Sequence, residues 1–118
     1  MKKILIVFRH GPHGSAHGRE GLELALAALA FDQAVNALFI GDGVLLLRHQ
    51  QDTKAAQLKD FAPGFRALLQ HGLERAAVVG EDMAARGLAP GDLQLAAERI
   101  DAKQAARWIA EHDICIGF

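Results

Sequence analysis

The chain has 118 residues, the length of one ordinary domain, with 13 Lys and Arg against 14 Asp and Glu for a formal charge of −1. A hydrophobic content of 51% and a single cysteine exclude a disordered chain and a disulfide scaffold, and fit a reducing, cytoplasmic setting. The near-neutral balance gives no basic field for a polyanion, and no stretch reaches the roughly 20 apolar residues of a membrane span.

Met1-Lys2-Lys3 followed by Ile4-Leu5-Ile6-Val7-Phe8 superficially resembles a leader. The apolar run is only five residues and Arg9-His10 follow, so it reads as a first buried strand covered on both faces. A turn rich in glycine and histidine follows, Gly11-Pro12-His13-Gly14-Ser15, and then Leu22, Ala25, Leu26 and Leu29 fall at helical spacing within residues 18–31. Ala34 to Ile40 reads as a second strand, stopped by Gly41-Asp42-Gly43. Val44 to Leu47 are four apolar residues in a row, just before the polar loop Gln50 to Lys54.

Phe61, Phe65, Leu68 and Leu69 mark one face of a helix that Gly72 closes, with Pro63 and Gly64 in its first turn. Ala76 to Val79 is a short third strand, Gly80 to Arg86 a short helix, and Leu93 to Arg99 a fourth strand. Asp101 with Gln104 forms a capping-box pattern opening a helix through His112, and Ile114-Cys115-Ile116 is the last strand. Alternating strands and helices predict one domain over residues 1–118. Its expected form is a flavodoxin-like α/β three-layer domain with a five-stranded, mainly parallel sheet.

In such a sheet ligands bind beyond the carboxyl ends of the strands. His10, His13 and His17 follow the first strand and have the chemistry to hold a metal, but no thiolate or nearby carboxylate completes a set. The same glycine-rich loop matches neither G-x-G-x-x-G nor a P-loop, and Ser15 lacks a nucleophile elbow. Cys115 sits between two isoleucines and reads as a buried, inert structural thiol. Asp42 is either a turn residue or a ligand or base above the strand ends. Trp108 reads as packing. A row such as Val44-Leu45-Leu46-Leu47 at the rim of a small domain cannot all face inward, which points to a subunit contact.

Pro12-His13-Gly14, Gly18-Arg19-Glu20-Gly21-Leu22, Phe39-Ile40-Gly41-Asp42-Gly43-Val44, Lys59-Asp60-Phe61 and Asp113 to Phe118 stand in an order and spacing that resemble the TusC/DsrF branch of the DsrE/DsrF/DsrH-like small sulfur-relay proteins. The resemblance implies a subunit without cofactor or metal, joined with TusB-like and TusD-like paralogues in a heterohexamer. That complex passes persulfide sulfur toward 2-thiolation of the tRNA wobble uridine, while the DsrF-like alternative serves sulfur oxidation. The family carries sulfur on a cysteine of the TusD/DsrE-type subunit after the third strand. The matching position here falls near Val79, followed by Gly80-Glu81-Asp82, with no thiol. A non-catalytic role follows, with residues 18–31, Val44, Leu45, Leu46 and Leu47, and the helix of Phe61 and Phe65 expected at subunit contacts. A small metal- or ligand-binding module built on the histidine loop is the other reading, and direct tRNA binding is disfavoured by the charge.

Overall fold

A computed structural model describes residues 2–12, 16–48, 62–93 and 97–118. The elements are β1 (Lys3–Phe8), α1 (His17–Ala30), β2 (Ala34–Phe39), a 3₁₀ segment (Gly41–Leu47), α2 (Ala62–Gln70), β3 (Ala76–Val79), α3 (Gly80–Ala85), a 3₁₀ turn (Pro90–Asp92), β4 (Glu98–Ile100), α4 (Ala102–Ala110) and β5 (Ile114–Gly117).

All neighbouring strands pair in parallel, in the order β4-β3-β2-β1-β5. The first three crossovers step one way across the sheet and the last returns over it to the far edge. Right-handed connections then place α1, α2 and α3 on one face and α4 on the other. The strand register shows this. Ile6, Phe8, Val35, Ala37, Phe39, Ala76 and Val78 join Leu22, Ala25, Leu29, Phe65, Leu68 and Met83 in one core. The intervening residues Leu5, Val7, Leu38, Ala77, Val79 and Ile100 pack against Ala105 and Trp108 of α4 in a second core. The α/β three-layer architecture expected from the alternation is present, and the sheet is parallel throughout.

Phe8 and Phe39 are register partners and stack at 4.8 Å, and Phe65 of α2 stands edge-on to both at 5.3 Å. Pairs of this kind add about 0.5–1.5 kcal/mol each beyond area burial, so this trio fixes α2 on the sheet. Gly72, at φ +102°, turns the chain out of α2 as its position predicts. Asp101 Oδ1 accepts from the Gln104 N–H at 2.7 Å and Gln104 Oε1 accepts from the Asp101 N–H at 2.8 Å, which is the expected capping box.

Three expectations are corrected. Val44, Leu46 and Leu47 are buried at 0%, 0% and 1% exposure, and only Leu45 is half-buried. The 3₁₀ winding repeats every three residues, which turns Val44 and Leu47 to the same side, while Leu46 packs over Gly18 at the start of α1. Phe65 is also fully buried, and Phe61 lies outside the described residues, as does the segment Gln50 to Lys54. The fourth strand is shorter than Leu93 to Arg99. Leu93 makes an isolated antiparallel bridge to Arg48 instead, and pairing with β3 begins only at Glu98. Cys115, expected to be buried, is exposed, because β5 is an edge strand bonded only to β1. Among the described residues no helix is long and apolar enough to cross a membrane.

Candidate functional site at the strand ends

The candidate loops converge on the carboxyl edge of the sheet. Beyond β1, the rings of His10 and His17 stack with centroids 4.3 Å apart, and His10 Nδ1 is buried without a hydrogen-bond partner among the described residues. His13 and Ser15 lie outside the described residues, so the structure brings together two of the three candidate histidines. Among the described residues no group of three or more His, Cys, Asp or Glu is placed to hold a metal ion.

Beyond β2 the chain is bound to the start of α3. Asp82 Oδ2 accepts from the Gly41 N–H at 2.8 Å, and Arg86 Nε donates to Asp42 Oδ1 at 2.9 Å. Arg86 also donates to the Asp82 carbonyl at 3.1 Å. Asp42 therefore belongs to a surface ion pair and a turn rather than to a ligand cluster. A Cβ on Gly43 would run into the Phe8 carbonyl oxygen, so glycine lets the 3₁₀ segment pass directly against β1.

Beyond β3 and β4 the connections leave to opposite faces, with α3 on one side and α4 on the other. They open a crevice of about 420 Å³ lined by Gly80, Glu81, Ala84, Arg99, Ile100 and Asp101. This is the switch point of the sheet, where the strand order predicts a ligand crevice. Arg99 crosses Gly80 so closely that a Cβ there would stand 2.5 Å from its Nε. Glu81 Oε2 accepts from the Ala102 N–H at 3.0 Å, which ties α3 to the first turn of α4.

No thiol faces this crevice. Val79, which ends β3 at this crevice, is 4% exposed and packs toward α4. Cys115 lies on β5, with β2 and β1 between it and β3, so three strand spacings of about 4.8 Å set it roughly 14 Å to the side of β3, and the register places it level with Arg75, four residues down the strands from Val79. Its Sγ donates to the Ile109 carbonyl at 3.4 Å, and desolvation by burial raises the thiol above its ordinary value. Both favour the protonated thiol over the nucleophilic thiolate, although the residue itself is exposed.

Trp108 is packing, as its place in the last helix predicts. It is 7% exposed, with the Arg75 guanidinium 4.8 Å above its ring and His112 edge-on at 5.2 Å. Asn36, His112, Asp82 and Arg99 were not marked by spacing or motif. The one available signal was Asn36, the single polar residue in the apolar run Ala34 to Ile40.

The model of the DsrE/DsrF-like family matches residues 2–118. The chain is 38% identical over 104 residues to a Protein TusC homolog of Vibrio parahaemolyticus, covering 88% of each. It is 34% identical over 119 residues to Protein TusC of Escherichia coli, covering 100% of each. It is 40% identical over 93 residues to the intracellular sulfur oxidation protein DsrF of Allochromatium vinosum, covering 79% of this chain and 68% of that one. Among solved structures, the ychN protein of E. coli superposes with a TM-score of 0.84 at 21% identity, and MTH1491 of Methanobacterium thermoautotrophicum with 0.79 at 12%. Each covers 100% of both chains, and at these identities the likeness concerns the fold.

Proposed function

Since the chain belongs to the DsrE/DsrF-like family, we propose that it is a TusC-like, non-catalytic subunit of a sulfur-relay complex. In this reading it assembles with TusB-like and TusD-like paralogues, and the complex relays persulfide sulfur toward 2-thiolation of the tRNA wobble uridine. The observation that carries the reading is the state of the position after β3. Persulfide exchange requires a thiolate, and here Val79 is buried, Gly80 lies beneath Arg99, and the chain's one thiol is three strands away.

Val44, Leu46, Leu47 and Phe65 are buried within the chain itself, which favours other side chains for the contact. The large apolar side chains exposed among the described residues are Leu24 and Phe31 of α1 and its end, Leu69 of α2 and Ile114 of β5. These are the groups the proposed assembly would cover.

Co-purification with both paralogues, followed by sulfur transfer through the complex carrying Cys115→Ser, tests the reading. Assembly with transfer retained supports it. A monomer that binds neither paralogue overturns the subunit role, and loss of transfer from a normally assembled variant overturns the non-catalytic one. The 40% identity to DsrF supports a second reading, in which the same subunit serves sulfur oxidation. Thiouridine content of tRNA in a deletion strain separates the two.

A further inference from the structure

Asn36 is 6% exposed and is the buried polar side chain of the core among the described residues. Its carboxamide is used on both sides. Oδ1 accepts from the Arg75 main-chain N–H at 2.9 Å, and Nδ2 lies 2.9 Å from His112 Nε2. On its other side, the His112 ring places Nδ1 2.7 Å from the Trp108 carbonyl. A main-chain N–H can only donate and a carbonyl can only accept, so each proton in this chain has one place. Asn36 Nδ2 donates to a bare Nε2, and His112 is the neutral tautomer with its proton on Nδ1.

We propose that Asn36, His112 and the Arg75 main chain form an acid-operated latch between the sheet and α4. A second proton on the imidazole would stand on Nε2, pointing N–H at N–H. Rotating the carboxamide would offer Oδ1 to the imidazolium but turn the amino group toward the Arg75 N–H. One hydrogen bond of a buried group is lost either way, but rotation gains the charge-assisted bond from the imidazolium to Oδ1, so the Arg75 N–H is the donor left without an acceptor. Imidazole is the side chain that gains its charge in mildly acidic solution.

The surrounding charges do not offer a ready alternative acceptor. Glu98 of β4 is bonded to the Arg75 guanidinium at 2.6 Å, and Asp113 after α4 accepts from the Lys3 main-chain N–H at 2.8 Å. The remaining charged groups on the packed elements are Glu74 and Arg75 before β3, Lys3 of β1, Arg99 of β4, Lys103 and Arg107 of α4, and Glu111 beside His112. Release of the Arg75 N–H loosens the residue whose guanidinium covers Trp108. The latch thereby reaches the cleft of about 160 Å³ that Arg75, Glu98, Trp108 and Glu111 line between β4 and α4.

Nuclear magnetic resonance of the full chain tests this without any variant. At pH 7.5 the His112 nitrogen shifts are expected to show Nδ1 protonated and Nε2 bare. Between pH 7.5 and 5.5 the Arg75 amide is expected to lose protection at least tenfold, after correction for intrinsic exchange, while the Ile40 amide, bonded to Phe8 in the sheet, changes less than twofold. Asn36→Asp places an acceptor on both sides and is expected to keep Arg75 protected at pH 5.5. A proton on Nε2 at pH 7.5, an imidazole that stays neutral to pH 5, or Arg75 protection that ignores its charging would each overturn the latch. If Asn36→Asp does not fold, the wild-type titration alone decides.

Discussion

The side chain of Arg99 lies across Gly80, where a Cβ would approach its Nε to 2.5 Å and its Cγ to 3.2 Å, whereas the obstacle at Gly43 is the main-chain carbonyl of Phe8. The end of an exposed arginine can swing aside, but a strand buried between two cores cannot. Alanine also suits the helical start at position 80 better than glycine does. Gly80→Ala is therefore expected to stay within about 1 kcal/mol of wild type, and Gly43→Ala to cost about 3 kcal/mol or to prevent folding. Urea denaturation of both variants measures the difference. Equal losses would show that Arg99 is fixed over the crevice rather than draped across it.

The raised thiol of Cys115 sets a second expectation. Only the thiolate reacts, so alkylation at pH 7.5 should be slower than for an unstructured cysteine peptide, with a rate still climbing above pH 9. The sign for stability follows from the same direction. The folded state favours the protonated thiol, so its contribution is present at neutral pH and is lost as pH rises through the raised value. Iodoacetamide rates across that range, with Cys115→Ser as the blank, report it. A rate equal to the peptide's would mean that contact with Ile109 does not restrain the sulfur.

What could be read from the chain alone was what depends on near neighbours. The Asp101/Gln104 capping box and the turn at Gly72 are local, and both stand where spacing placed them. The strands of the central sheet were legible because they are short apolar runs bounded by turn and polar residues, too short for helices. Which of Val44 to Leu47 turn inward was not legible, because a 3₁₀ segment follows neither the two-residue nor the 3.6-residue period. Cys115 was misread because flanking isoleucines do not reveal that β5 lies at an edge. Asn36 and His112 are 76 positions apart, and only the return of α4 over the sheet makes them partners.

The Asp82 and Asp42 ties differ in kind. Asp82 satisfies the Gly41 N–H in a partly buried place, while Asp42 meets Arg86 with its side chain 65% exposed. Removing Asp82 leaves a main-chain donor without its acceptor, so Asp82→Ala is expected to cost about 1–3 kcal/mol. Asp42→Ala is expected to cost under about 1 kcal/mol and to matter less as salt is added. Thermal denaturation at low and high ionic strength distinguishes them. A larger loss for Asp42→Ala would place the stabilising contact at the ion pair instead.

Asn36→Ala removes both partners of a buried network at once. The Arg75 N–H and the His112 ring lose their contacts and a small cavity is left, so a cost of about 2–4 kcal/mol is expected. His112→Ala, at a half-buried position, leaves the Asn36–Arg75 bond in place and should cost less. Chemical denaturation of the two single variants and the double variant gives their coupling. Additive losses would mean that the imidazole and the carboxamide do not act as one unit.

Phe31 is 79% exposed at the end of α1, and Leu24, two turns earlier on the same helix face, is 37% exposed. Neither holds the monomer together, so Leu24→Ser and Phe31→Ser should each change its unfolding free energy by no more than about 0.5 kcal/mol. If this stripe is a subunit contact, the double variant should lose at least tenfold in affinity for the TusB-like or TusD-like paralogue, since desolvated aromatic anchors dominate interfaces. Titration of fluorescently labelled variant with each paralogue measures the loss. Unchanged affinity for both would remove this face of α1 from the assembly and leave Leu69 and Ile114 as the apolar contacts to examine next.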